Sequence, residues 1–139
     1  MKRESGQMED VVDQIRTNAR RAIELFAPIS EIDFGFNRDS VAWVEGYIER
    51  MRPRANFNDG SWNGLIDSIG SFLGECILAR TGGSWQFSDD QRWSISFASG
   101  GCAFPMTKVA KQFENGLDGG DSIVGFYDVC VEFVSKSRA

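Results

Sequence analysis

This chain contains no histidine, so the residues that could do covalent or acid-base chemistry are its carboxylates, three cysteines, lysines and tyrosines. Histidine is the side chain that titrates nearest neutral pH, and it is the commonest metal ligand. Its absence excludes Ser/His/Asp triads, Cys/His dyads and zinc sites that contain histidine. The remaining groups follow no spacing typical of a catalytic signature. The sequence therefore predicts no catalytic centre, no cofactor and no metal site.

The three cysteines, Cys76, Cys102 and Cys130, are odd in number, widely spaced and without a CxxC pair. This pattern argues against a disulfide framework and a structural zinc. Cys76 and Cys130 lie within apolar helical patterns, so we expect them to be buried. Cys102 follows two glycines and precedes a predicted helix start, a position that can make a thiol reactive. Without a histidine as base, a structural role is favoured for Cys102 too.

Two groups of carboxylates could hold a cation. Asp67 and Glu75 fall on one face of a predicted helix with Ser71 between them, but no second cluster completes a coordination shell. A solvated helix face explains them better. The segment from Asp118 to Asp121 resembles part of a calcium loop but lacks the alternating acidic ligands and the closing glutamate. A glycine turn followed by an aspartate helix cap is the better interpretation.

The acidic tip of a predicted β-hairpin is the most promising contact for a partner. Asp89 and Asp90 lie there between two tryptophans, and turn chemistry alone also accounts for them. Exposed aromatic and acidic groups together favour contact with a basic protein. The predicted partner-binding residues are Trp85, Asp89, Asp90, Trp93, Asp118 and Asp121.

The composition is that of one globular domain spanning residues 1–139. Hydrophobic residues make up 42% and charged residues 25% of the chain, and the net charge is −5. An acidic surface disfavours nucleic acid and suits a basic protein partner. We find no apolar stretch typical of a signal peptide or membrane span, since polar residues interrupt 62–79. We therefore expect a cytoplasmic protein that does not bind membranes.

Helical periodicity recurs in five places. The predicted helices cover about 7–26, with Pro28 as the stop; from Asp39 or Ser40 to before Pro53; from Asp59–Ser61 to about Arg80; from Pro105 to Asn115; and from Asp121 or Ser122 onward. In the fourth, Lys108, Lys111 and Gln112 are predicted to point outward. In the third, Gly70 and Gly74 lie one turn apart, which predicts close approach of another element.

The period changes from 3.6 to 2 between Ser84 and Ala98. Trp85, Phe87, Trp93, Ile95 and Phe97 alternate with polar or small residues, which predicts an antiparallel hairpin with one apolar face. A two-stranded hairpin is marginally stable alone, so a third strand is expected at 32–36 or at 102–104. The fold class is therefore α+β: a helix-dominated single domain with a small antiparallel sheet, including a hairpin at about 84–98.

The block LGECILARTGGSW, at 73–85, resembles a pattern in small uncharacterised bacterial α+β domains, where a helix ending in Leu-Gly-Glu leads through Gly-Gly-x-Trp into a hairpin. The later segment FPMTKVAKQFENG, at 104–116, is similar in style, and the likeness spans roughly 62–127. In general character such domains resemble immunity proteins of bacterial toxin systems. This resemblance supplies no functional residue.

Three functions follow as hypotheses. The first is an immunity-type inhibitor that binds and neutralises a toxin or effector. The second is a chaperone or adaptor for a secreted protein, binding an extended client segment. The third is a small enzyme that uses Cys102 or the pair Asp67 and Glu75.

Charge reversal of Asp89 and Asp90 tests the hairpin tip. If a basic partner docks there, the double change to lysine weakens binding and flattens its salt dependence, because complementary charge accelerates encounter. Calorimetry at two salt concentrations measures both effects. Unchanged affinity would remove the hairpin tip from the partner surface.

Overall fold

The computed structural model describes residues 2–54, 62–87 and 92–138, with side chains from residue 9 to residue 136 of these ranges. Within them lie five α-helices and three strands, so the helix-dominated α+β fold is confirmed. The elements are α1 (Lys2–Ser30), α2 (Arg38–Met51), α3 (Asn63–Thr81), β1 (Ser84–Phe87), β2 (Trp93–Ser96), β3 (Cys102–Ala103), α4 (Pro105–Asn115) and α5 (Ile123–Arg138), with a 3-10 turn at Arg52–Arg54 after α2.

Helix α3 is the centre of the domain. Its residues from Ile69 to Gly74 are buried without interruption, as are Cys76 and Ile77. Six consecutive buried residues cover every side of a helix, so other elements must surround this part of α3, and α1, α4 and α5 all pack against it. The left-handed Gly82 (φ 69°) ends α3 after Thr81, close to the predicted end near Arg80.

Gly70 and Gly74 let two elements rest directly on the backbone of α3. A Cβ at Gly70 would lie 2.8 Å from the Cα of Met106, the second residue of α4. A Cβ at Gly74 would overlap the ring of Trp85 on β1. The predicted close approach is confirmed, and it places the start of α4 and the sheet against one side of α3.

The sheet has the order β1-β2-β3 and is antiparallel throughout. Trp85 pairs with Ile95, and Ile95 pairs with Ala103, so the hairpin is confirmed and its third strand is Cys102–Ala103. The alternative at 32–36 is a loop. Its Phe34 ring stacks on Phe72 at 5.2 Å, so that segment is used for core packing.

The predicted alternation of apolar and polar faces holds only in part. Trp85, Ile95 and Phe97 are buried, but Phe87 is 48% exposed and Ser94 is buried. The Ser94 hydroxyl donates to the carbonyl of Gln86, at 3.4 Å, which gives its buried oxygen a partner.

Three helix boundaries differ from the prediction. Helix α1 begins at Lys2, ahead of the predicted start near residue 7, and it continues past Pro28 to Ser30. Pro28 removes the backbone hydrogen bond to the carbonyl four residues earlier, and the helix ends two residues after it. The Ser30 hydroxyl donates to the Ala27 carbonyl in this last turn. Helix α2 is capped by Asn37, whose side-chain oxygen accepts from the Ser40 N–H at 2.9 Å.

The predicted boundaries of α4 and one of the two predicted caps of α5 are confirmed. Helix α4 opens with Pro105 and ends at Gly116 as expected. Ser122 precedes α5, and its hydroxyl accepts from the Gly125 N–H at 3.0 Å. Asp121, the other predicted cap, is instead paired with Lys108. The predicted start of α3 at 59–61 lies outside the described residues.

Gln112 holds α2, α4 and α5 together. The prediction that it points outward is wrong, since its side chain is fully buried. Its amide nitrogen donates to the carbonyl of Glu45 at 3.3 Å and to the carboxylate of Glu49 at 3.0 Å, both on α2. Its amide oxygen accepts from the N–H of Ile123, the first residue of α5, at 2.9 Å. Helical periodicity could not reveal this role, because a polar residue outside the apolar stripe of a helix is predicted to lie on the surface.

Glu45, Glu49 and Arg52 surround this junction with further bonds. Glu45 accepts from the Ser122 hydroxyl and the Val124 N–H, and Glu49 accepts from the Leu117 N–H. Arg52 donates to the carbonyls of Phe113 and Glu114 at the end of α4. The Glu45 carboxylate therefore meets the positive end of α5 and the Arg52 guanidinium meets the negative end of α4, which suits both helix dipoles. Glu49 instead binds the turn that follows α4.

Replacing Gln112 by alanine should destabilise the domain strongly. The change leaves the Ile123 N–H without its partner and opens a cavity, which together should cost about 3 kcal/mol. Urea unfolding followed by far-ultraviolet circular dichroism measures this loss. Gln86→Ala, at an exposed position, serves as the control, and equal midpoints for the two variants would contradict the role of Gln112.

Candidate functional site

A groove of about 470 Å³ runs between the end of the sheet, α4 and α5. Apolar side chains form most of its lining, and cationic side chains lie among them. The apolar residues are Phe97, Ala103, Phe104, Phe126, Val129, Cys130 and Phe133; the cationic ones are Arg92, Lys108 and Lys111. Gly101, Cys102 and Thr107 complete the lining. Its volume lies within the range of about 300–1,000 Å³ that is typical of ligand pockets.

The α5 wall of the groove exposes large apolar side chains. Val129 is 65% exposed and Phe133 is 44% exposed, and they lie one helical turn apart. The Phe133 ring lies 6.0 Å from that of Phe97. Gly101, in the left-handed region at φ 86°, passes beneath Phe133: a Cβ there would lie 3.6 Å from its ring. Contiguous exposed apolar groups of this kind mark interaction surfaces.

The groove is basic although the chain is acidic. Among the described residues that line it, none is a carboxylate, whereas the whole chain carries a net charge of −5. Lys111 is exposed. The Arg92 guanidinium lies 4.4 Å above the Phe104 ring, so its charge sits at the groove. The groove therefore offers apolar contact and positive potential to the same ligand.

Lys108 is partly neutralised by its neighbour Asp121. Its ammonium lies 2.8 Å from the Asp121 carboxylate, which also accepts from the Asn115 amide. These two hydrogen bonds hold the pKa of Asp121 below its usual value. The pair ties α4 to the loop before α5, so Lys111 is the more available cation for a ligand.

The three thiols differ in environment. Cys76 and Cys130 are buried, as expected, whereas Cys102 is exposed on β3 in the groove lining. Burial raises the pKa of Cys130 to about 11 and raises that of Cys76 as well. Two thiols are thus kept protonated near neutral pH, while Cys102 is open to solvent.

The predicted partner-binding residues are dispersed. Trp85 is only 6% exposed, and its indole N–H donates to the Glu75 carboxylate at 2.9 Å. Trp93 is half-buried, with its ring 5.3 Å from that of Phe87. Asp118 is exposed in the loop between α4 and α5, near the paired Asp121. Asp89 and Asp90 lie outside the described residues, so the hairpin tip stays a prediction.

The carboxylates Asp67 and Glu75 lie in different surroundings and do not form one site. Glu75 accepts from Trp85 and faces Arg16 at 3.9 Å, whereas Asp67 lines a separate cavity. In the described part of the chain, no group of three or more potential ligands could hold a metal ion. The pairing of Glu75 with Trp85 fixes β1 against α3 and is a structural interaction.

Helical periodicity does not reveal the groove, because apolar residues occupy so much of α5 that no outward face stands out. Phe126 and Phe133 fall within the same apolar arc as the buried residues of the helix. The number of apolar residues in α5 could have indicated an exposed apolar surface. With Val129 included, they span more of the helix than one buried face needs.

Comparison with models of protein families, with curated proteins and with solved structures finds no match to this chain. In the ranges that the structure describes, no helix is both long and apolar enough to cross a membrane. The fold and the site thus define a helix-dominated α+β domain with an apolar groove that carries basic side chains.

Cys102 should react with a thiol reagent much faster than the other cysteines. At pH 7.5, Ellman's reagent should modify one thiol rapidly, because the pKa of each buried thiol is raised and its access blocked. Cys102→Ser should abolish the rapid phase, and denaturant should release the two slow thiols. A rapid phase that persists in Cys102→Ser would contradict this assignment.

Proposed function

We propose that this protein is a protein-binding domain that receives an extended segment of a partner in its groove. The observation that carries the proposal is the exposure of Val129 and Phe133 beside a basic, apolar groove. Both side chains line the groove, so an occupant that covers them must extend over one turn of α5. A polypeptide segment meets this requirement, with side chains that enter the groove and backbone that continues past it.

Charge complementarity indicates the chemistry of that segment. Lys111 and Arg92 favour carboxylates, and the phenylalanines favour apolar side chains. The proposed partner segment therefore carries apolar residues next to aspartate or glutamate. A basic partner, as suggested by the net charge, would need another face. Of the predicted partner-binding aspartates that the structure describes, Asp118 is exposed, whereas Asp121 is paired with Lys108.

The two protein-binding hypotheses from the sequence differ in what they require. A chaperone or adaptor for a secreted protein binds an extended client segment, and the open groove along α5 favours this form. An immunity-type inhibitor covers a toxin's active site, and the exposed Asp118 is what supports it for a basic toxin. A cytoplasmic location belongs to the proposal, and the three free thiols support a reducing compartment.

A peptide selection tests the groove. Random peptides displayed on phage are selected on the protein, and the enriched sequences should combine apolar residues with aspartate or glutamate. A synthetic peptide of the enriched type should bind Lys111→Glu about fivefold more weakly, because the charge reversal repels its carboxylates. Val129→Asn should weaken binding about tenfold through lost apolar contact.

Lys136→Glu provides the matched control. Lys136 is a highly exposed lysine on α5 outside the groove, so its reversal changes the net charge equally and should leave affinity unchanged. Enrichment of basic peptides whose binding depends on Asp118 would instead place the binding site at Asp118. Equal peptide affinities in all groove variants would overturn the proposal that the groove binds the peptide.

A further inference from the structure

A second cavity, of about 350 Å³, lies between α1, α3 and the start of α4. It shares Arg92 and Thr107 with the groove, but its other lining residues are different. Asp67 and Ser71 line it from α3, Gln14 and Asn18 from α1, and Trp93 from β2. Nothing in the proposed protein-binding function uses this cavity.

Ser71 is the feature that cannot be explained by the fold. The residue is 1% exposed, and its hydroxyl has no hydrogen-bond partner among the described residues. A helical serine usually donates to the carbonyl four residues earlier, and a buried hydroxyl without a partner costs about 1–3 kcal/mol. A ligand that bonds to this hydroxyl would recover that cost.

Asp67 brings a negative charge to the same cavity, one helical turn before Ser71. The residue as a whole is exposed, but its carboxyl is partly shielded, and this burial raises its pKa. The ion pairs of the described residues do not include Asp67. Arg92 also lines this cavity, and its guanidinium lies 4.4 Å from the Phe104 ring. A cation supplied by a ligand would offset the unfavourable burial of the carboxylate.

The remaining lining is rich in acceptors and in apolar surface. The Gln14 amide nitrogen donates to the Asn18 side-chain oxygen at 3.2 Å, which leaves the Gln14 oxygen available as an acceptor. The Trp93 ring and Met106 supply apolar walls. One carboxylate is too few for a calcium site, whereas an ammonium group has three donors for such acceptors.

We propose that this cavity binds a primary alkylammonium ligand. Its ammonium group donates to the Asp67 carboxylate and the Ser71 hydroxyl, and its alkyl chain lies against Trp93 and Met106. The class of ligand is thus a small organic amine, and its site is a second one that adjoins the groove at Arg92 and Thr107.

Three six-carbon probes test the site, because they share one chain and differ in charge. Hexylammonium, hexanol and hexanoate are titrated separately while the methyl resonance of Met106, which lines this cavity and not the groove, is followed by nuclear magnetic resonance. Hexylammonium should shift the resonance saturably, hexanol at least about tenfold more weakly, and hexanoate not at all. Equal affinity for hexanol, or no saturable shift at millimolar hexylammonium, would overturn the proposal.

Variants of Asp67 and Ser71, the two residues proposed to accept from the ammonium group, separate an effect on binding from an effect on folding. Asp67→Asn should weaken hexylammonium at least about tenfold, and Ser71→Ala about threefold. Ser71→Ala removes a hydroxyl that has no partner, so the variant should fold at least as stably as the original chain. Asp33→Asn, at an exposed aspartate outside the cavity, is the control and should bind normally. Unchanged affinity in Asp67→Asn would contradict the proposal.

Discussion

The burial of one amide, that of Gln112, is the constraint on which the arrangement of the C-terminal half depends. Its two ends bind different elements: the nitrogen binds α2 and the oxygen binds the first N–H of α5. Because a buried amide must satisfy both ends at once, the three helices are fixed together rather than pairwise. The groove lies beside this junction, so the spacing of its α4 and α5 walls follows from the same bonds.

A second constraint acts at α3, where two glycines remove side chains from one face. Met106 and Trp85 occupy the space, which places the start of α4 and the first strand directly on the helix backbone. The amide junction and the glycine face hold α4 at opposite ends. Between them, α4 separates the groove from the cavity of Asp67 and Ser71, and Thr107 lines both.

Charge is segregated on this surface in a way that the net charge hides. The chain is acidic overall, but Arg92, Lys108 and Lys111 gather at an apolar groove without carboxylates in its described lining. Several acidic side chains meanwhile bind groups within the domain: Glu45 accepts from the first turn of α5, Glu49 from the turn after α4, and Glu75 from Trp85. The formal net charge therefore includes carboxylates that contribute little to the charge of the surface that a partner contacts.

The sequence by itself determined the five helices, the hairpin, the burial of Cys76 and Cys130 and the close approach at Gly70 and Gly74, because periodicity, turn residues and missing side chains act locally. Tertiary structure alone decided the third strand, the inward turn of Gln112, the exposure of Val129 and Phe133 and the unpartnered Ser71 hydroxyl. Each of these depends on which distant element supplies a partner or covers a face. Local pattern carries no information on that choice, because the same spacing of apolar or polar residues suits either outcome.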